Sequence, residues 1–101
     1  MAIKINITEK LKFEEKPVLV IKDKEIAVNN GATIVLQVSD LMEDYSPRNV
    51  LKSYELLFDE AEREKIEALK LSFKDFTTMI IDAMRLVAGD EEGEALTPAM
   101  T

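Results

Sequence analysis

The fold is decided by residues 46–89, which read SPRNVLKSYELLFDEAEREKIEALKLSFKDFTTMIIDAMRLVAG. Ser46-Pro47 is a helix start, because serine caps a helix and proline is tolerated in its first turn. Asp59-x-x-Glu62 resembles a capping box, and Ser72-x-x-Asp75 supplies another cap. Gly89 is typical of the residue that ends a helix. The stretch therefore predicts three helices.

The last of these helices carries apolar residues on more than one face. One stripe, at spacings of three and four, comprises Phe73, Phe76, Thr77, Ile80, Met84 and Val87. Met79 and Leu86 lie seven residues apart on roughly the other side, near Asp75 and Asp82. They are either buried against the sheet or form an oligomer seam or partner patch, since methionine adapts to imperfect surfaces.

The first thirty residues predict strands. Ile3, Ile5 and Ile7 alternate with polar residues, and Leu11 and Phe13 repeat the pattern. Residues 18–21 and 26–28 form two β-branched runs, and the charged residues 22–25 between them predict a hairpin turn. Residues 29–31, Asn-Asn-Gly, end the strand pattern.

Residues 32–43 fit two structures. Thr33 to Leu36 favour a strand by propensity, whereas apolar residues recur at helical spacing over three turns. We favour a helix over about 32–43. The predicted fold class is α+β, with a small N-terminal antiparallel sheet or hairpin packed against three to four helices. Residues 1–89 form one domain (1–30 β, 31–89 helical), and 90–101 a disordered acidic tail.

Composition narrows the possible functions. The 101 residues carry a net charge of −7 and contain no histidine and no cysteine, which removes the usual general base, thiolate nucleophile and zinc ligands. The acidic balance disfavours nucleic-acid binding. No apolar run resembles a signal peptide or a membrane span, so we expect a cytoplasmic protein that does not bind membranes.

The carboxylates do not predict an active site. Glu60, Glu64 and Glu67 lie on one charged helix face, which is more often solvated than metal-binding. The three glycines cannot form a phosphate-binding loop, and residues 90–92 lack the spacing of a calcium loop. We expect no catalytic residues, no metal and no cofactor.

The candidate interface residues combine aromatic, apolar and acidic side chains. Tyr45, beside the helix break at Ser46-Pro47, is either a core anchor or an exposed interface anchor. The candidates are Tyr45, Met79, Leu86, Asp90, Glu91 and Glu92.

The order of these segments resembles that of a known family. A strand region at 17–29 precedes a helical half in which residues 69–76, LKLSFKDF, lead into residues 79–81 and Met84. This layout resembles the small tail assembly chaperones of long-tailed bacteriophages and Gram-positive prophages, most specifically over residues 50–89.

The resemblance implies a non-enzymatic function. Such chaperones coat the aggregation-prone tape-measure protein and recruit tail-tube subunits; many self-associate, and many also exist in a longer, frameshifted form. It therefore implies tape-measure and tail-tube proteins as partners, and a homo-oligomer, in the bacterial cytoplasm. Surplus apolar helix faces suit the coating of apolar helices.

Two alternatives to the chaperone remain. A small acidic adaptor or inhibitor would bind a basic protein surface through residues 90–94 and 60–67, with an affinity that falls as salt rises. An enzyme that uses carboxylates and a metal would require a buried cluster of three or more acids.

Overall fold

A computed structural model describes residues 2–89 of the chain. A two-stranded antiparallel hairpin precedes four helices, which confirms the α+β class. After a short 3-10 turn at Thr8–Lys10, the elements are β1 (Val18–Ile21), β2 (Lys24–Ala27), α1 (Ala32–Leu41), α2 (Pro47–Leu57), α3 (Glu60–Leu69) and α4 (Phe73–Ala88).

The helix boundaries follow the caps that the sequence encodes. Ser46 accepts a hydrogen bond from the Asn49 backbone N–H, and Ser72 accepts one from the Asp75 backbone N–H. Each serine satisfies an N–H that the first helical turn leaves free. Gly89 ends α4 in the left-handed conformation, with φ 74°. The predicted helix at 32–43 is confirmed as α1, two residues shorter.

The hairpin confirms the predicted pairing of two strands, but its turn is shorter than the four residues predicted at 22–25, because Lys24 and Glu25 pair within β2. The pairing is antiparallel and runs from Val18 with Ala27 to Ile21 with Lys24, so Lys22 and Asp23 form the turn. Lys22 adopts the left-handed conformation of a tight turn, with φ 56°, although glycine is the residue that usually occupies such a position.

The prediction of strands at residues 3–7 and around Leu11 and Phe13 is wrong. Residues 2–7 have no regular structure, and every residue from 2 to 16 is exposed. A strand needs a neighbour to pair its backbone, and within residues 2–89 none lies beside this segment. Residues 3–7 have the alternating pattern of a strand, but within residues 2–89 no strand pairs with them.

The core lies between the hairpin and the helices. α1, α2 and α4 pack against one another, and α3 packs against β2. The core residues are Ile26, Val28, Val38, Val50, Tyr54, Leu57, Phe58, Ile66, Met79, Ile80 and Ala83.

Candidate protein-interaction surface

The outer edge of β2 is covered by side chains of α3. The Ala27 backbone N–H donates to Glu62 Oε1 at 3.0 Å, and Lys65 Nζ donates to the Glu25 carbonyl at 3.0 Å. Lys65 and Glu62 also form an ion pair at 3.1 Å. The Ala27 N–H and then the Lys65 ammonium hold the pKa of Glu62 below its ordinary value. An α3 acid and an α3 base thus satisfy backbone groups that a third strand would otherwise pair.

A further acid, Asp59, fastens the start of α3, although not as predicted. The Asp59 side chain makes no cap hydrogen bond to α3; it accepts from Asn29 Nδ2 at 3.0 Å and from Lys16 Nζ at 3.2 Å. These contacts, Asn29 first, lower the pKa of Asp59. The helix begins where the sequence predicts, but the capping box does not form because both carboxylates bind the hairpin and its flanks.

The outer edge of β1 differs from that of β2. The Val28 N–H donates to the Pro17 carbonyl, and the register continues this pairing at Leu19 with Ile26 and at Ile21 with Lys24. The backbone groups of Val18 and Val20 therefore point away from β2. Within residues 2–89 no hydrogen bond reaches them. We call the outward backbone of Val18 and Val20 the open edge.

The segment that precedes β1 in the sequence is exposed and rich in apolar side chains. Residues 2–14, which we call the arm, include Ile3 at 95%, Ile5 at 78% and Phe13 at 74% exposure. The chain just after the arm is held to the domain, because Asn30 Nδ2 donates to the Glu15 carbonyl and Lys16 pairs with Asp59. Of the large apolar side chains exposed within residues 2–89, most lie in the first twenty residues: Ile3, Ile5, Ile7, Leu11, Phe13, Val18 and Val20.

The helices expose a second, smaller set of apolar side chains. These are Leu36 on α1, Tyr45 in the α1–α2 connection, Leu51 on α2, and Phe73 and Leu86 on α4. Between α1 and α2 lies an open groove of about 320 Å³, lined by Gln37, Asp40, Leu41, Lys52 and Leu56. Leu36 lies one helical turn before Asp40, so it is on the groove side of α1.

The structure separates the candidate interface residues. Tyr45 and Leu86 are 54% and 41% exposed, whereas Met79 is 6% exposed and lies in the core. The buried arc of α4 centres near Ala83, which was not singled out from the sequence, and this shift brings Met79 inside. Met79 and Leu86 therefore do not form a shared exposed seam. Asp90, Glu91 and Glu92, like the predicted acidic tail, lie outside the described residues.

Glu67 is exposed on α3, but its carboxylate also makes a hydrogen bond within the domain. The Tyr54 hydroxyl lies 3.1 Å from Glu67 Oε2 and 3.2 Å from the Arg63 carbonyl. Burial, and then the Glu67 carboxylate, raise the pKa of Tyr54 to about 12. Glu60 and Glu64 are exposed on α3.

Two broader features of the described residues concern metal binding and membranes. Residues 2–89 contain no group of three or more acidic, histidine or cysteine side chains placed to hold a metal ion. Across the same residues, every helix is too short or too polar to cross a membrane.

Comparison with known proteins gave no match, whether to a protein-family model, to a curated protein or to a solved structure.

Proposed function

We propose that this protein is a non-enzymatic tail assembly chaperone of a long-tailed bacteriophage. It covers apolar helical segments of the tape-measure protein and aids assembly of the tail tube. The observation that carries the proposal is the set of large apolar side chains exposed on the helices, together with the groove between α1 and α2. The resemblance of residues 50–89 to this family supplies the identity of the client.

The exposed set suits a helical client. Leu36, Tyr45, Leu51 and Leu86 are between 41% and 69% exposed, so each can bury further apolar area when a client helix docks. The lining of the groove combines apolar Leu41 and Leu56 with the polar side chains of Gln37, Asp40 and Lys52. An amphipathic helix binds in grooves of this composition by placing its apolar face inward.

The test is co-expression with an apolar helical segment of a tape-measure protein, measuring the soluble fraction of that segment. The intact chain is expected to keep the segment soluble. The combined variant Leu36→Gln, Tyr45→Ser, Leu51→Gln and Leu86→Gln is expected to lose most of that effect. A matched control, Glu55→Gln with Lys74→Gln, alters exposed positions on α2 and α4 without removing apolar area. Equal solubilisation by the combined variant and the control would contradict the proposal.

The acidic adaptor remains a second candidate, supported by charge. Glu60 and Glu64 are exposed on α3 within a chain of net charge −7. Binding through such charges weakens as salt screens them, whereas apolar binding persists. Repeating the solubility assay at low and high salt separates the two functions: solubilisation that survives high salt supports the chaperone, and its loss supports the adaptor.

A further inference from the structure

We propose that the open edge of β1 binds residues 3–7 of a second copy of this chain as an added β-strand. This interaction is distinct from client binding. A helical client cannot pair with a strand edge, because the backbone groups of a helix are already bonded within it. Only an extended segment offers free N–H and C=O groups that can pair with those of the open edge.

The two edges of the hairpin show why β1 is the site. Two of the four outward groups of β2 have side-chain partners, since Glu62 covers the Ala27 N–H and Lys65 covers the Glu25 carbonyl. A strand cannot add there without displacing both. Within residues 2–89 the outward groups of Val18 and Val20 have no such cover, and their side chains are 44% and 66% exposed. Such an edge is a template for pairing with another chain.

The arm has the pattern of the missing strand. Ile3, Ile5 and Ile7 alternate with Lys4 and Asn6, so an extended arm places three isoleucines on one face. β-Branched residues paired across strands stabilise a sheet, and Val18 and Val20 offer matching partners. The same chain thus contains a segment with the sequence pattern of a strand and a strand with a free edge, but the two are not paired with each other.

The occupant is a second copy because the single chain leaves this pairing unmade. The chain following the arm is fixed to the domain by the Asn30–Glu15 and Lys16–Asp59 contacts. The seven residues 8–14, between the pairing segment and this attachment, can extend to about 23 Å, enough to cross to a neighbouring molecule. Two copies can exchange arms reciprocally, which closes the assembly as a symmetric dimer.

Disulfide trapping tests the pairing directly, because the chain has no cysteine of its own. Ile3→Cys, Ile5→Cys and Ile7→Cys are each mixed with Val18→Cys or Val20→Cys, and the mixtures are oxidised. At least one arm–edge pair is expected to give a heterodimer in several-fold higher yield than the same arm variant mixed with Leu36→Cys, an exposed control on α1. Equal yields across all pairs overturn the proposal.

A single-chain disulfide in the double variant Ile5→Cys/Val20→Cys, formed at low concentration in place of the interchain product, also overturns it. It would show that the arm binds its own edge.

Light scattering of the intact protein gives the second measurement. We expect a dimer mass that survives high salt and becomes a monomer mass in the variant Ile3→Ser/Ile5→Ser/Ile7→Ser. These side chains lie outside the core, so the variant keeps the fold, which circular dichroism verifies. A dimer that persists in this variant refutes arm exchange but says nothing against client binding. Client binding is tested separately, by the solubility assay with the combined Leu36, Tyr45, Leu51 and Leu86 variant.

Discussion

The two edges of one small hairpin have opposite surroundings. On β2, the Ala27 N–H and the Glu25 carbonyl bind Glu62 and Lys65 of α3 at 3.0 Å each. On β1, the outward groups of Val18 and Val20 have no hydrogen-bond partner within residues 2–89. A two-stranded hairpin alone is marginally stable, so packing of α3 against β2 is what makes this one persist.

The difference shows how a protein of this size can close one surface and leave another for association. A charged side chain that caps a strand edge blocks further strands while stabilising the sheet. Because the caps are confined to the β2 side, any added strand is directed to β1. The stability of the hairpin and its availability to a partner are therefore set by different residues and can be changed separately.

A matched pair of proline substitutions within β1 gives the largest expected effect. Leu19→Pro removes an N–H that faces β2 and leaves the Ile26 carbonyl without its partner, so we expect a loss of about 2–3 kcal/mol in the free energy of unfolding. Val20→Pro removes an N–H that faces outward and should cost under about 1 kcal/mol. Urea unfolding of both variants checks this. Equal losses would mean that the outward groups of β1 are not free.

Removing the cap on β2 should have the next largest effect. Glu62→Ala leaves the Ala27 N–H and the Lys65 ammonium without their acceptor, and we expect a loss of about 1–2 kcal/mol in unfolding free energy. Glu62→Gln is the control, because its amide oxygen can still accept from Ala27, and it should cost less. If both variants are as stable as the parent chain, the cap does not stabilise the hairpin.

Local signals predicted the helices and the hairpin because their causes lie close together in sequence. Ser46, Ser72 and Gly89 act on backbone groups within four residues of themselves, so pattern and structure agree. The capping box at Asp59 failed for the opposite reason. Glu62 accepts a hydrogen bond from Ala27, which lies 35 positions earlier in the chain, and Asp59 accepts one from Asn29, which lies 30 positions earlier. No local pattern shows this competition for the two carboxylates.

The exposure of the candidate interface residues was less predictable than the fold. A helical wheel placed Met79 outside the main stripe, but a wheel does not show which elements surround α4; α4 packs against α1 and α2, and Met79 is buried in the core. Similarly, the alternation at residues 3–7 predicts a strand without showing whether a partner strand is available. The open edge depends on hydrogen-bond parity in β1, which only the register reveals.

Replacing Tyr54 tests the other attachment of α3, its contact with α2, and should have a smaller effect. Tyr54→Phe removes the hydroxyl that lies within hydrogen-bond distance of Glu67 and the Arg63 carbonyl, so we expect a loss of about 1 kcal/mol near neutral pH. The folded-state pKa is raised from 10.0 to about 12, so this contribution is complete below pH 10 and is lost as pH rises toward 12. Urea titrations of both proteins at several alkaline pH values should show the difference shrinking; a constant difference contradicts this origin.

The acid dependence of the β2 cap gives the smallest expected effect and distinguishes its charge from its shape. Because folding lowers the pKa of Glu62 below its ordinary 4.5, its ionic contribution is present above that pH and is lost as pH falls through the folded-state pKa. Glu62→Gln does not titrate, so the stability difference between it and the parent chain should be constant from about pH 7 to pH 6 and shrink in acid. Asp59 titrates in the same direction in both proteins, which makes the comparison specific to Glu62. A difference that does not change with pH would show that the carboxylate closes the β2 edge as a hydrogen-bond acceptor alone, without a contribution from its charge.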